Sequence, residues 1–332
     1  MEKTILGVNT ITTVKGSYEM KVLYFNNCWF TNVGEAFIDI GGMKLTKIIF
    51  GENSRIGCLS AMTNYYMKNA PKRKRFSFNP PSPHLEFVTS DYLNADYIIL
   101  PGMVGTIEFL NAPSRAMVDT LVEKGCKLVF LGLGGEWYTD EETDALKRYF
   151  DKVKPTLIIS RDNDVYEQYK NVAPCVKGID CAFWSVDVFD PRGFRDADYD
   201  VVTFNRIKEP KLFKDLKNIV RPKHMQYSFR KEDADKTTLI SDTPYDYLTI
   251  YANAKHVYTD LVHATIISMM YGTPVKYWEN GKRFKAFYAL DAIEKQDDFL
   301  YAPEESLNRQ KTRIVEESKE VLFSNQAQIK SI

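Results

Sequence analysis

The sequence has little of what would place it at once in a special class of protein. Only five of its 332 residues are cysteine, and no two of them form a CxxC pair. An odd, unpaired set of cysteines indicates neither a disulfide framework nor a zinc site, so a reduced, cytoplasmic protein is the simplest interpretation. No apolar run approaches the roughly 20 residues of a membrane span. Residues 1–20 lack the apolar stretch of a signal peptide.

An excess of one charge is also missing. The chain carries 44 Lys and Arg against 44 Asp and Glu, which gives a formal net charge of zero. Such a balance does not indicate bulk binding to nucleic acid or to an anionic membrane. The one strongly basic run, residues 72–75, is interpreted as a solvated loop in preference to a nucleic-acid or membrane patch.

What the chain does contain is two successive sets of alternating strand and helix patterns. A charged stretch with Pro and Gly at residues 187–200 separates them, and the length suits two domains. We therefore predict an α/β protein with two Rossmann-like, doubly wound parallel-sheet domains, residues 1–190 and 198–300. A terminal helix within residues 301–332 is predicted to pack at the domain join. Two such domains with facing carboxyl edges would form a cleft, as in the GT-B layout.

The stretch around His263 is the most informative one. An apolar strand ends at residues 257–258, Thr259 and Asp260 can cap a helix, and residues 264–271 form a predicted buried helix. His263 thus lies in the first helical turn at the carboxyl end of a strand, where α/β sheets bind ligands and free N–H groups favour an anion. A histidine there is a candidate proton donor. The alternative is a helix-start histidine that hydrogen-bonds only to backbone.

Other polar side chains follow other predicted strands. In chain order they are Asn32, Gly34, Glu35, Gly102, Arg161, Asp162, Arg206 and Lys208. Gly34 would let the backbone approach a ligand closely, and Arg206 offers a fork that suits phosphate or carboxylate. Each has a plainer alternative, such as a helix-start turn, an Arg–Asp pair that locks one loop, or a surface arginine. The following segment, residues 212–220, is predicted to be a helix.

Taken in order, these segments resemble the polysaccharide pyruvyl transferase family. Asn32-Val33-Gly34-Glu35 resembles the family's N-x-G-D loop, and Ile159-Ser160-Arg161-Asp162 resembles its S-x-R-D-like turn. Asp180-Cys181-Ala182-Phe183 is similar to the segment that closes the family's first domain. Asp260-Leu261-Val262-His263-Ala264 with Gly272-Thr273-Pro274 is similar to its D-R-L-H-G helix and G-x-P exit.

The resemblance implies an enzyme that moves a pyruvyl group from phosphoenolpyruvate to a sugar diol of a surface glycan or its precursor, as a ketal. His263 would be the acid. Residues around the donor would be Arg206, Lys208, Asp260, Ala264 and Thr265. The first-domain side of the cleft would comprise Asn32, Gly34, Glu35, Gly102, Arg161 and Asp162. Phosphoenolpyruvate would be a co-substrate, and neither a metal nor another cofactor is implied. The acceptor would be a glycan or a lipid-linked sugar, and a homo-oligomer is compatible with the sequence.

One departure from the family pattern bears directly on the donor. The motif arginine two residues before the histidine is Leu261 here. Its loss removes a charge-assisted anchor worth about 1.5–3 kcal/mol at a dry site. Arg206, Lys208, Lys276 or Arg161 would have to compensate, or the donor differs. Two other functions therefore stay open: another GT-B-type glycosyltransferase that uses a sugar nucleotide, and a divergent binding protein without catalysis.

Overall fold

The computed structural model describes residues 19–26, 32–60, 89–102, 104–136, 138–224, 234–279, 281 and 283–329. Within these residues the chain forms two separate sheets, the first from strands between residues 21 and 176 and the second from strands between residues 200 and 301. The basic run at residues 72–75 lies outside the described residues.

The first sheet is parallel throughout its described strands. They are β1 Lys21–Asn26, β2 Arg55–Ser60, β3 Tyr97–Pro101, β4 Lys127–Leu133, β5 Leu157–Ser160 and β6 Cys175–Val176. Their order in the sheet is β2-β1-β3-β4-β5-β6. Every residue of β3 and β5 is buried, as expected for a parallel sheet covered on both faces.

The second sheet has a parallel centre and an antiparallel edge. Its described strands are β7 Asp200–Thr203, β8 Ile219–Pro222, β9 Thr238–Leu239, β10 His256–Thr259, β11 Val275–Tyr277, β12 Glu294–Gln296 and β13 Phe299–Tyr301. The order is β12-β13-β11-β10-β7-β8-β9. Strand β13 runs antiparallel to both β11 and β12, whereas the other pairs are parallel. The predicted fold of two parallel-sheet α/β domains is confirmed, with this antiparallel edge added.

Helices cover the sheets. They are α1 Val33–Phe50, α2 Thr89–Tyr92, α3 Ile107–Leu110, α4 Pro113–Glu123, α5 Asp140–Val153, α6 Asn163–Tyr169, α7 Pro244–Asn253, α8 Val262–Met270 and α9 Glu304–Ile329. Short 3-10 helices occupy Cys181–Asp187, Lys211–Phe213 and Arg283–Ala286. No helix in the part of the chain that the structure describes is both long and apolar enough to cross a membrane.

One hydrophobic core joins the two sheets. It contains Phe37 of α1, Trp184 of the 3-10 helix Cys181–Asp187, Ile267 of α8 and Ile314 of α9. Helix α9 leaves the second sheet and returns to the first, where Phe323 packs edge-on against Phe50 with ring centroids 5.9 Å apart. The described strands fall inside the predicted limits of 1–190 and 198–300, except that β13 ends one residue beyond, at Tyr301. The exact limits stay a prediction.

The predicted helix at residues 212–220 is wrong. The structure has the 3-10 helix Lys211–Phe213, an irregular segment and then strand β8. Leu212 and Leu216 are exposed. Phe213 is buried instead, because it packs against Val202 and Ile219 on the outer face of the second sheet. Tertiary packing therefore overrides the local periodicity.

The junction between α1 and the 3-10 helix Cys181–Asp187 gives a first prediction. Alanine ordinarily favours a helix interior over glycine by about 1 kcal/mol. At Gly41, however, a methyl group would lie 1.9 Å from the backbone oxygen of Cys181. We expect Gly41→Ala to lower the free energy of unfolding by about 1–3 kcal/mol, measured by denaturant titration. Lys44→Ala, at a partly exposed position of the same helix, should change it by less than about 0.5 kcal/mol. Equal values for the two variants would contradict this close packing.

Candidate active site

The order of the strands marks one position in each sheet where ligands are expected. In the first sheet the direction of winding reverses between β1 and β3, and in the second it reverses between β7 and β10. Open α/β sheets bind ligands outside the carboxyl ends of the strands at such switch points. The candidate residues Asn32, Gly34 and Glu35 follow β1, and Gly102 follows β3. Arg206 and Lys208 follow β7, and His263 follows β10.

His263 occupies the second position of α8, directly after Val262. The N-cap residue is Leu261, and no side chain caps the helix at this end. The expectation that Thr259 and Asp260 would cap it is wrong. The Thr259 hydroxyl accepts from the Leu261 amide at 2.9 Å, which is one residue before the first N–H group of the helix. The uncapped amides of α8 therefore remain free for an anion.

Asp260 holds the neighbouring loop. Its buried carboxylate accepts hydrogen bonds from the backbone N–H groups of Asn205 at 3.0 Å, Arg206 at 2.7 Å and Ile207 at 2.7 Å. These bonds fix the backbone of the loop after β7 against the start of α8. The side chains of Arg206 and Lys208 are exposed, and neither makes an ion pair within the described residues.

His263 meets the first domain at Asp180, which begins the 3-10 helix Cys181–Asp187. Its Nε2 lies 3.6 Å from Asp180 Oδ2. Arg161 Nη1 lies 3.6 Å from the same oxygen, and both first-domain side chains are almost fully buried. Asp180 Oδ1 accepts from the Ala182 amide at 2.9 Å. Burial alone would raise the pKa of the Asp180 carboxyl, but His263, Arg161 and the Ala182 amide hold it below its ordinary value.

This cluster has spare hydrogen-bonding capacity. Within the part of the chain that the structure describes, Arg161 Nε, Asp180 Oδ2 and His263 Nε2 are buried atoms without a hydrogen-bond partner. Buried polar atoms in native proteins nearly always have one. Three such atoms in one cluster indicate a binding site for a polar ligand group.

Gly34 allows the two domains to touch. Asn32 caps α1 through a hydrogen bond from the Gly34 amide to Asn32 Oδ1 at 3.1 Å, and its Nδ2 donates to Glu35 at 3.3 Å. A methyl group at Gly34 would lie 2.3 Å from His263 Nδ1. Only glycine fits there without moving the imidazole. The adjacent Val33 amide donates to the His224 carbonyl oxygen of the second domain at 3.0 Å.

The position of Arg161 is restricted by the loop after β4. A methyl group at Gly134 would lie 1.9 Å from Arg161 Nε, so this loop packs closely against the guanidinium. Asp162 does not form an ion pair with Arg161. It caps α6 by accepting from the Val165 amide at 2.9 Å, and it accepts from the Tyr138 hydroxyl at 2.5 Å.

Three further candidates serve the scaffold. Gly102 makes a left-handed turn at φ 78° after β3 and donates its amide to Leu131 at 2.8 Å. Ala264 is fully buried in α8, and Thr265 donates its hydroxyl to the Leu261 carbonyl oxygen at 3.0 Å. The structure thus brings His263 and Arg161 together around Asp180, with Gly34 against the His263 ring. It leaves Gly102, Asp162, Asp260 and Thr265 in backbone-supporting roles.

His224 was not foreseen as part of this region. It is buried at the base of the site, and its Nε2 lies 2.6 Å from the Tyr251 hydroxyl. Phe37 and Tyr247 also contact its ring edge-on. Burial lowers the pKa of His224 to about 3, with a smaller contribution from His263. In sequence it only precedes a predicted strand, so no local signal distinguishes it.

The fold and the site together define a two-domain α/β protein of the GT-B type, with its candidate site between the carboxyl edges of the two sheets. The model of the polysaccharide pyruvyl transferase family matches residues 35–275. The chain therefore belongs to that family. No curated protein sequence gave a match.

Similar solved structures agree on the fold. S. aureus MnaA in a co-structure with UDP is 10% identical, with 93% of this chain and 95% of that chain covered and a TM-score of 0.52. UDP-GlcNAc 2-epimerase from Neisseria meningitidis, bound to UDP-GlcNAc, is 12% identical, with coverage of 91% and 94% and a TM-score of 0.50. The enzyme from Rickettsia bellii is 13% identical, with coverage of 90% and 88% and a TM-score of 0.50. At these identities the likeness concerns the fold alone.

The buried neutral state of His224 predicts a pH effect on stability. The unfolded chain binds a proton at His224 below about pH 6.5, whereas the folded protein does so only near pH 3. Unfolding is therefore favoured as the pH falls between these values, by roughly 1.4 kcal/mol per unit. We expect His224→Gln, which can still bond to Tyr251, to show a flatter loss of unfolding free energy between pH 7 and pH 4.5, the wild type losing about 2.7 kcal/mol more. Parallel pH profiles in denaturant titrations would contradict this.

Proposed function

We propose that the protein transfers a pyruvyl group from phosphoenolpyruvate to a sugar diol of a glycan or its precursor, giving a ketal and free phosphate. Membership of the polysaccharide pyruvyl transferase family supports the reaction class. The observation that carries the proposal is the His263–Asp180 pair, which joins the two domains beside the uncapped start of α8.

His263 is the proposed general acid. Protonation of the donor's methylene carbon leaves positive charge on the adjacent carbon, which a sugar hydroxyl attacks. Loss of phosphate and attack by the second hydroxyl then close the ketal. One of the two hydroxyl protons restores the acid, and the other leaves with the phosphate. Asp180 would stabilise the protonated imidazole and fix its orientation. As proposed, the reaction needs no metal or further cofactor.

The donor's anionic groups need a cationic partner in place of the arginine that Leu261 replaces. Of the four candidates, Arg161 is engaged with Asp180, and Lys276 lies 3.3 Å from Asp298. Arg206 and Lys208 are exposed and have no ion pair within the described residues. We assign donor binding to these two side chains and to the free amides at the start of α8.

A sugar-nucleotide enzyme is the second candidate. The solved structures of similar fold include proteins bound to UDP and to UDP-GlcNAc. Leu261 in the position of the family arginine favours this alternative, because it removes one charge from the proposed phosphoenolpyruvate site. A non-catalytic family member would bind a ligand without turnover.

The proposed acid is tested by release of inorganic phosphate from phosphoenolpyruvate in the presence of a glycan diol. We expect His263→Gln to lower kcat by about 10²–10⁴-fold, because glutamine cannot supply the proton. His256→Gln is the matched control. His256 lies at the start of β10, at the opposite edge of the sheet, where it pairs with Asp200 at 3.0 Å. Its variant should keep wild-type turnover.

The same assay separates the alternatives. Phosphate release that survives in His263→Gln would contradict the role of His263. No release by the wild type with any diol, together with thermal stabilisation by a UDP-sugar but not by phosphoenolpyruvate, would support the sugar-nucleotide function instead.

A further inference from the structure

The connection between β7 and β8 is unusually open to solvent. Of residues 205–218, only Phe213 is buried. Its ring packs against Tyr258 at 4.8 Å, Trp278 at 5.6 Å and Phe204 at 5.7 Å, measured between centroids. One aromatic side chain thus holds the segment on the outer face of the second sheet, and the remaining side chains are exposed except for the partly buried Glu209 and Pro210.

Three of the projecting side chains are aliphatic. Leu212 is 63% exposed, Ile207 38% and Leu216 37%. Single exposed aliphatic residues are common on protein surfaces, but three within ten residues of one connection are not explained by the packing of this fold.

Five projecting side chains are cationic. They are Arg206, Lys208, Lys211, Lys214 and Lys217. None of the five forms an ion pair with another described residue. Of the two acidic residues in the segment, Glu209 is neutralised by Arg221 through hydrogen bonds of 3.0 and 2.8 Å. Only Asp215 opposes the five cations, although the whole chain has no net charge.

We propose that residues 207–217 form a docking segment for an anionic membrane surface, with Lys211, Lys214 and Lys217 as the cations that meet it. Lysines interleaved with protruding aliphatic side chains match such a surface, because the lysines meet lipid head groups and the aliphatic groups enter the interface. A nucleic acid would need the cations but not the aliphatic groups. Its bases stack on exposed aromatic rings, and the only aromatic ring of the segment is buried.

The docking segment starts close to the candidate active site. The segment begins at Ile207, whose amide donates a hydrogen bond to Asp260. This start lies at the same edge of the second sheet as His263. From there the segment crosses the outer face of the second sheet to the opposite edge, where β8 begins at Ile219. A docked protein would therefore lie with this face on the membrane, and the start of the segment would place the site beside a surface where a lipid-linked sugar acceptor resides. This last step rests on the proposed function, whereas the docking itself does not.

The docking is tested by co-sedimentation of the full chain, without substrates, with vesicles of phosphatidylcholine alone or mixed with phosphatidylglycerol. We expect binding only to the anionic vesicles. The variant Lys211→Gln/Lys214→Gln/Lys217→Gln should bind about 100-fold more weakly. Leu212→Ser should weaken binding about tenfold. Neither variant alters the residues assigned to catalysis or donor binding, so phosphate release in solution, where present, should be unchanged.

A matched control carries the same change of charge elsewhere in the second domain. Lys236→Gln/Lys255→Gln/Lys295→Gln removes three exposed lysines and should bind as the wild type does. Absence of binding to anionic vesicles would overturn the proposal, as would an equal loss in this control. Retained binding by Leu212→Ser, with displacement by single-stranded RNA, would replace the membrane with nucleic acid as partner. Because no substrate is present, these outcomes are independent of the proposed transfer reaction.

Discussion

The carboxylate of Asp180 is the interaction on which the assembled site depends. It belongs to the first domain, but it lies between Arg161 of that domain and His263 of the second. A buried carboxylate is stable as an anion only if nearby cations and hydrogen bonds offset its lost hydration. Asp180 obtains one of its two polar side-chain neighbours, the His263 imidazole, from across the domain boundary. The polar surroundings of Asp180 are therefore complete only when the second domain is in place, and the same contact orients the imidazole.

Close packing supports this electrostatic link. Gly34 lets α1 approach the imidazole, and the Val33 amide bonds to the His224 carbonyl oxygen at the base of the site. A second bridge lies nearby, where Lys285 of the second domain forms an ion pair with Asp164 and lies 5.1 Å from the centre of the Tyr138 ring. Tyr138 in turn donates to Asp162, next to Arg161. The loops that hold the charged cluster are thus themselves held from both domains.

Sequence patterns correctly predicted features that depend on interactions between residues close together in the sequence. Apolar runs located most central strands, and the Gly272–Pro274 exit correctly ended α8, with Gly272 at φ 73°. Patterns failed where distant packing decides, as at residues 212–220, where Phe213 anchors the segment and prevents a helix. The contact of Asp180 with His263 joins residues 83 positions apart, and His224 is near the site only because β8 ends beneath α1. No periodicity or cap signal encodes such contacts. Comparison with the family model and the fold neighbours confirms the family and the fold, while the residue roles stay a prediction.

The most direct test of the central claim is an imidazole NMR titration of histidine-labelled protein with phosphoenolpyruvate. The chain has only four histidines, so each ring can be assigned by single substitution. If the donor binds at the domain junction, the signals of His263 should shift saturably, while those of His256 at the far edge of the sheet stay in place. A titration that moves no histidine signal, or one in which only a UDP-sugar shifts His263, would contradict a phosphoenolpyruvate site built on Asp180 and His263.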